Sequence, residues 1–591
     1  MGRCLPFLLA LCLNAQTRHS VDVHVTVNMD AVARGDIQVQ AARPIPRPKR
    51  IPSKRIGSPG PVRRDVPHES AAGHSAFAGF QALLDTYQAT PPDTGGAVGP
   101  HDVVTMLNSQ VTIQSRTGEV RTNYPIDLYQ FWSALGPFAR VFDPRILYDA
   151  ANDRWIAAAG MNPGGADGGL LLAISQTADP GGTWDQFALR TGADGAWADY
   201  PVLGLNRNWI VLSANLYALP PTGVYSRTQI FVFDKAAMYQ SASAAYTSFS
   251  DTEGQFTPAV DLDQQADSLY FAQTYTDAEG GRVRISILQG PAGAEMFVPG
   301  AAELPVSDPW AMAGSNYGDF APQPGIWYKV DTGDSRLQNC VLRSLTVWCA
   351  QTVFLPAQAP TRAAIQWFQV DPSGNEVLQV GRIEDPQNVV FYSFPSISVN
   401  HDGDALIGYA RFTANDYPSA AFSLRKSGDP LGAMRSSVVF KPGEAPYAGL
   451  GADEGSNRWG DVSGTVVDPV DDLTFWTIQE YAATPTDHYL GRWGTWWATV
   501  PVSADALACT YAVTTDTQQF DSSGGTGTAT VTTSPGCPWM AASNSGWLSI
   551  ASGNAGAGNG TVSFRVAANA TGQSLSGSMS IAGQTLPVTI H

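Results

Sequence analysis

Residues 143–157 read Asp-Pro-Arg-Ile-Leu-Tyr-Asp-Ala-Ala-Asn-Asp-Arg-Trp-Ile-Ala. An acidic residue and a proline open the stretch, an apolar strand follows, Ala150–Asp153 turns, and an aromatic-led strand returns. The outline recurs. Asp199-Tyr200-Pro201-Val202-Leu203-Gly204-Leu205 turns at 206–208 into Trp209-Ile210-Val211-Leu212, and Phe394-Pro395-Ser396-Ile397-Ser398-Val399-Asn400 turns at 401–404 into Ala405-Leu406-Ile407-Gly408-Tyr409. Looser versions begin at Asp93, Thr257 and Asp461, and a degenerate one covers Phe320–Ala350. The spacing suits four short strands per unit, the length of one propeller blade, and radial repetition leaves few open strand edges. The expected fold is all-β: a β-propeller of roughly seven blades over residues 77–502, with six or eight as the neighbouring counts. A long β-sandwich would not explain recurrence of one turn-strand outline.

The composition agrees. Of 591 residues, 58 are Gly and 41 Pro, and only 15% are charged, which suits short strands and tight turns. The best helical stretch is 77–88, read as one short helix. The net charge is −17, although Arg43–Arg64 carries eight basic residues and no acid, so the remainder is more acidic still. An acidic body argues against nucleic acid and anionic membranes as partners. Six prolines interrupt the basic stretch, so residues 16–76 read as an N-terminal strand (Val21, Val23, Val25 and Val27 alternate, partner unknown) followed by an extended basic linker or cleavable pro-segment.

Residues 1–15 carry Arg3, the apolar run Leu5–Leu13 and Asn14-Ala15, a short secretory signal. No other stretch has the length of a membrane span, so stable membrane insertion is not expected. The expected address is outside the cell or at its surface, with the periplasm as the alternative. Cys340 with Cys349, and Cys509 with Cys537, form two separated pairs, most simply two disulfides in an exported chain. Zinc would need sulfurs from two domains to meet without any C-x-x-C spacing. No cofactor is expected.

Thr177-Ala178-Asp179-Pro180-Gly181-Gly182-Thr183-Trp184 resembles the Asp-box hairpin of sialidase-type propellers. With Pro91–Pro100, Asp199-Tyr200-Pro201, Ala321-Pro322-Gln323 and Asn457-Arg458-Trp459-Gly460-Asp461, it makes residues 85–500 similar to secreted bacterial sialidase-like propeller proteins. The resemblance implies fold and export and supplies no established active site. Residues 505–591, with Cys509, Gly524–Gly527, Cys537-Pro538-Trp539 and Gly546-Trp547-Leu548, look like a BACON domain, an immunoglobulin-like β-sandwich found beside carbohydrate-active enzymes. That likeness implies carbohydrate binding. Trp539 and Trp547 would stack on sugar rings if exposed, or fill the small core if buried.

A sialidase needs three arginines for the substrate carboxylate, a tyrosine activated by glutamate, and an aspartate acid-base. By type, Arg145, Arg336, Arg411 and Arg458, Glu480-Tyr481, and Asp143 or Asp93 supply them. Each has a local alternative: Arg145 and Arg458 stand beside blade-start aspartates, and Glu480-Tyr481 ends a strand. The Arg-Ile-Pro phrase of true sialidases occurs only at 50–52, in the linker. No nucleophile elbow, zinc-protease helix motif or P-loop is present. Asn400–Asp404 faintly resembles a calcium loop, and an Asp-Gly hairpin turn explains it. The expected function is binding of glycans or other extracellular surface ligands; the alternative is a sialidase-like glycoside hydrolase acting at the propeller centre.

Overall fold

A computed structural model describes residues 17–37, 78–240, 245–307, 309–314, 319–449, 456–486, 490–502, 511–533 and 538–591 except 544, 546, 554, 558 and 583. The expected signal, the basic linker, Cys509 and Cys537 lie outside them. Two compact units divide at Trp497/Ala498. Among the described residues no helix is long and apolar enough to cross a membrane.

The larger unit is built from four-stranded antiparallel meanders, each a run of up-and-down hairpins. The first comprises Gly95–Val98, Asp102–Met106, Gln110–Ser115 and Ile126–Asp127. The second runs from Val141–Asp149 to Thr183–Arg190, the third from Ala196–Leu205 to Ala245–Asp251, and the fourth from Thr257–Asp261 to Met296–Ser307. The fifth runs from Leu337–Arg343 to Glu376–Ile383 and the sixth from Val390–Val399 to Val438–Lys441. The seventh takes Gly464–Val467, Phe475–Ala482 and Trp493–Val500 from the end of the unit and Gly79–Leu84 from its beginning. The first strands run side by side in parallel, as Leu205 opposite Val260 and Val260 opposite Val341 show. Residues from the first strand of each of these meanders, or from just ahead of it, line one cavity among the described residues. This is the architecture of a β-propeller, with its channel along the first strands.

The seventh meander corrects the expected helix at 77–88. Residues 79–84 form a strand, because the open edge of Trp493–Val500 offers backbone partners that a short isolated helix lacks. Asp85 N–H donates to Trp493 O at 3.0 Å and Leu83 N–H to Thr495 Oγ1 at 3.1 Å. Joining both ends of the unit in one sheet closes the ring.

The repeated proline has a structural meaning. Register slips between Phe142 and Arg145, between Asp199 and Val202, and between Ser393 and Ser396, at the same place in three first strands. At each slip the residue before the proline has positive φ: Asp143 (51°), Tyr200 (51°) and Phe394 (55°). Proline disfavours such a predecessor, so the surrounding sheet must impose it. A bulge re-aims the side chains around it. These bulges stand at the starts of the first strands.

The alternating valines find their partner. Val23–Asn28 lies antiparallel on Thr183–Ala188 as a fifth strand of the second meander, and Thr17–Ser20 on Ala245–Ser248 as a fifth strand of the third. Asn28 caps the helix Met29–Arg34, which buries Met29 and Val32 in a core shared by the first and second meanders. The Thr177–Trp184 stretch is a hairpin turn: Asp179 accepts from Gly181 N–H at 3.0 Å, and buried Trp184 donates to Pro180 O at 2.9 Å. Arg121 forks onto Asp179 (2.6 Å) and Asp30 (2.7 Å), tying the arm to that turn.

Cys340 and Cys349 are bonded across directly paired residues of the fifth meander's first hairpin. In the smaller unit, Ala512–Thr515, Gly525–Thr532, Gly560–Val566 and Leu548–Ser552 form one sheet, and Gln519–Phe520, Gln584–Ile590, Leu575–Ile581, Pro538–Ser543 and Ala555–Ala557 another. Phe520, Val531, Phe564, Met579 and Ile590 share its core, with Trp547 half-buried against it. The Trp539 side chain lies outside the described set.

Candidate functional site at the channel mouth

Parallel first strands bring all their beginnings to one end of the channel. Asp93 precedes the first, Asp143 and Asp199 lie early in the second and third, Asp331, Asp334 and Arg336 precede the fifth, and Arg458 and Asp461 precede the seventh. These residues interact electrostatically as one group. Asp93, 3% exposed, accepts from Asp461 N–H at 2.7 Å and from Asn108 Nδ2 at 2.6 Å. Asn108 Oδ1 accepts the Asp143 N–H at 2.8 Å. One asparagine therefore holds two successive strand starts.

The arginines divide into paired and unpaired. Arg336 forks onto Asp334 at 2.6–3.0 Å. Arg458 bonds Asp461 at 2.7 Å and lies 3.9 Å from Asp331. Arg145 forms no salt bridge among the described residues; its Nε donates to Pro201 O at 2.9 Å, and its buried Nη2 has no partner. The Tyr200 ring carries the guanidinium of Arg145 at 4.8 Å and that of Arg336 at 4.4 Å, cation–π contacts that orient both. Arg145 and Thr94, whose fully buried Oγ1 is also without a partner, line the channel cavity with Gln338, Ser396 and Ser463.

Burial sets the proton affinities. It lifts Asp93 to about 6, with Asp143 adding to it. It lifts Asp143 to about 7, helped by Asp199 and Asp461. It lifts Asp199 to about 6, against the pull of Arg336. Asp334 goes the other way: burial would raise it, and the Arg336 fork outweighs burial. Carboxyls that hold protons near neutrality both donate and accept hydrogen bonds, and they exchange protons with a bound group.

The sequence-derived candidates separate accordingly. Arg145, Arg458 and Asp143 meet at the mouth. Glu480 lies beside them, 4% exposed, accepting Gly460 N–H at 2.9 Å; burial raises its pKa strongly, and Oε1 is unpartnered. Tyr481 turns away, as successive strand residues must, and its hydroxyl donates to Gln81 Oε1 at 2.6 Å. Arg411 pairs with Asp416 at 3.1 Å within its own meander and takes no part in the group. Asp199, Tyr200, Asp334 and Asp461 were not chosen from sequence. Their common signal is position at, or just ahead of, the start of a repeat. Trp547 is half-buried against the core of the smaller unit.

The opposite end of the channel is wider, about 360 Å³, against about 100 Å³ near the mouth. Arg343 closes part of its wall, buried and bonded to Asp263 (2.7 Å), Asp472 (2.6 Å) and Val399 O (3.0 Å). Among the described residues, no three of His, Cys, Asp or Glu are arranged to hold a metal ion.

No family model matches the sequence, and no curated protein matches it. Several solved structures superpose loosely. The polysaccharide lyase Uly1 covers 82% of this chain and all of its own length, at 8% identity and a TM-score of 0.38. A protein of unknown function from Dyadobacter fermentans DSM 18053 covers 61% of this chain and 94% of its own, at 10% identity and 0.35. A polysaccharide lyase of the PL25 ulvan lyase family covers 73% and 95%, at 11% identity and 0.33. Likenesses this slight carry no weight for function.

Proposed function

We propose that this chain is an exported seven-bladed β-propeller with an immunoglobulin-like C-terminal sandwich, and that it binds glycans at the mouth where the first strands begin. The observation behind this reading is that Asp93, Asp143 and Asp199 gather there, each from a different meander, with no salt bridge to any of them among the described residues. Structural ion pairs would leave no such surplus; Arg336 with Asp334 and Arg458 with Asp461 already form the local pairs. Carboxyls kept close without a direct ion pair cost stability, and such groups cluster at functional sites. The unpartnered Arg145 Nη2 and Thr94 Oγ1 in the adjoining cavity support polar recognition. The BACON-like unit remains a second candidate module.

A glycoside hydrolase is the second reading. Asp143 and Asp199, both lifted toward neutrality by burial and by neighbouring carboxylates, supply two carboxyls able to exchange a proton between them and a bound group. A sialidase-type mechanism has less support, because Tyr481 and Arg411 stand apart and two of the other arginines are engaged by protein carboxylates.

Full-length secreted protein on a glycan array tests both. The wild type and R411A should bind the same glycans, and D143N/D199N should lose at least about tenfold in affinity, the effect of ~1.4 kcal/mol. Release of reducing ends by the wild type alone would select the hydrolase. A wild type that binds no glycan, or a D143N/D199N variant that binds unchanged, refutes the assignment of the mouth.

A further inference from the structure

Trp327 is 75% exposed, more than any other large apolar side chain among the described residues. An indole this exposed contributes little to the core and leaves its ring available for stacking. One face of the ring is covered by Tyr328, stacked at 3.7 Å with 29° between planes. The pair is held from beneath. The Gln323 amide donates to Tyr328 O (2.9 Å) and Tyr447 O (2.7 Å) and accepts the Tyr447 N–H at 2.8 Å.

The same loop is fastened to the mouth. Asn457 Nδ2 donates to Lys329 O at 3.0 Å, and Asn457 O accepts Asp331 N–H at 3.0 Å. Asn457 is the chain neighbour of Arg458, which bonds Asp461. Trp327 is two residues from Lys329, at most ~7 Å of chain, so the aromatic pair belongs to the loop that leads into Asp331, Asp334 and Arg336.

The charge balance restricts what can lie across both. Asp93, Asp143, Asp199, Asp331, Asp334 and Asp461 face Arg145, Arg336 and Arg458, with Lys329 in the loop itself, and two of the three arginines are already bonded to protein carboxylates. The excess stays negative even with Asp143 protonated. A uronate, sialate or sulfate would meet that net repulsion, with Arg145 and Lys329 the two of these cations that have no salt bridge among the described residues. A neutral pyranose offers an apolar C–H face to the indole and hydroxyls that bond carboxyls in either protonation state. From the stack and the surplus of acid together, we infer that the ligand of this mouth is an uncharged glycan, one ring of which lies on Trp327. The inference rests on reading the mouth as a glycan site.

The test uses the full-length protein and two probe sets, uncharged oligosaccharides (gluco-, manno- and N-acetylglucosamine oligomers) and acidic ones (oligouronates and sialylated glycans), titrated by calorimetry. Binding should be confined to the uncharged set, fall about tenfold or more in W327A, and stay within about threefold in W327F, as expected for a stacking contact. Trp327 is exposed, so neither substitution threatens the fold. Preference for the acidic set, or equal binding by W327A, overturns the inference while leaving the mouth as the site. If the wild type binds neither set, the reading of the mouth falls and the inference with it.

Discussion

Replacing Asp143 by Asn should stabilise the protein above neutrality while weakening ligand binding. The Asp143 carboxyl holds its proton to about pH 7 in the folded chain, against 3.8 for the solvated side chain, because burial and then Asp199 and Asp461 oppose its charge. Between those values the folded state binds a proton that the unfolded state has released. The contribution of this group to stability is therefore greatest below pH ~3.8, declines as pH rises through that window, and levels off above ~7. A shift of ~3 units at ~1.36 kcal/mol each sets a ceiling of ~4 kcal/mol. Asp93 and Asp199 share the cost, so ~2–4 kcal/mol is the expected gain on removing the charge. Asparagine keeps the side-chain shape and its amide still donates to a neighbouring carboxylate. Unfolding entropy of ~2.1 cal/mol/K per residue over the about 420 residues of Gly79–Trp497 makes each kcal/mol worth ~1 °C. D143N should then melt ~2–4 °C above wild type near pH 8 and level with it near pH 4, by calorimetry at constant ionic strength. A D143N protein no more stable than wild type near pH 8, or equally stabilised at both pH values, refutes the account of the mouth as a place where uncompensated charge is held.

Two further outcomes test the framework. C340A/C349A opens a loop whose ends are nine residues apart, which in the chain-entropy picture lowers stability by roughly 2–3 kcal/mol; intact-mass alkylation under denaturing, non-reducing conditions should find both thiols blocked in the wild type, and free thiols there would remove the disulfide. R121A releases the half-exposed bridge to Asp30 and Asp179, worth at most ~1 kcal/mol, so hydrogen exchange should quicken at residues 23–34 while the melting temperature stays within ~1 °C; unchanged exchange would show that strand pairing alone holds the arm.

The parts of this molecule that depend on near neighbours were legible in its residues. The proline and acidic starts of the repeats, the returning aromatic strands and the Cys340/Cys349 hairpin follow from turn chemistry and two-residue alternation, which act over a few positions. The strand character of Val21–Val27 was legible for the same reason. Its partner was not, because nothing local ties it to Thr183–Ala188. The helix expected at 77–88 failed on the same ground: its strand exists because an edge more than 400 residues away is open to receive it.

The site shows the division most clearly. Asp143, Arg145, Arg458 and Glu480 could be chosen by residue type, as could Arg411 and Tyr481, and type alone did not tell the two groups apart. Strand alternation sends Tyr481 away from Glu480, and Arg411 meets Asp416 within its own meander. Sequence by itself determined that acids and prolines recur where strands begin. Only the tertiary structure decided that those beginnings gather at one mouth and outnumber their arginines, because parallel first strands in a closed ring bring residues 93 to 461 together, and the strength of each charge depends on that company and on the water it excludes.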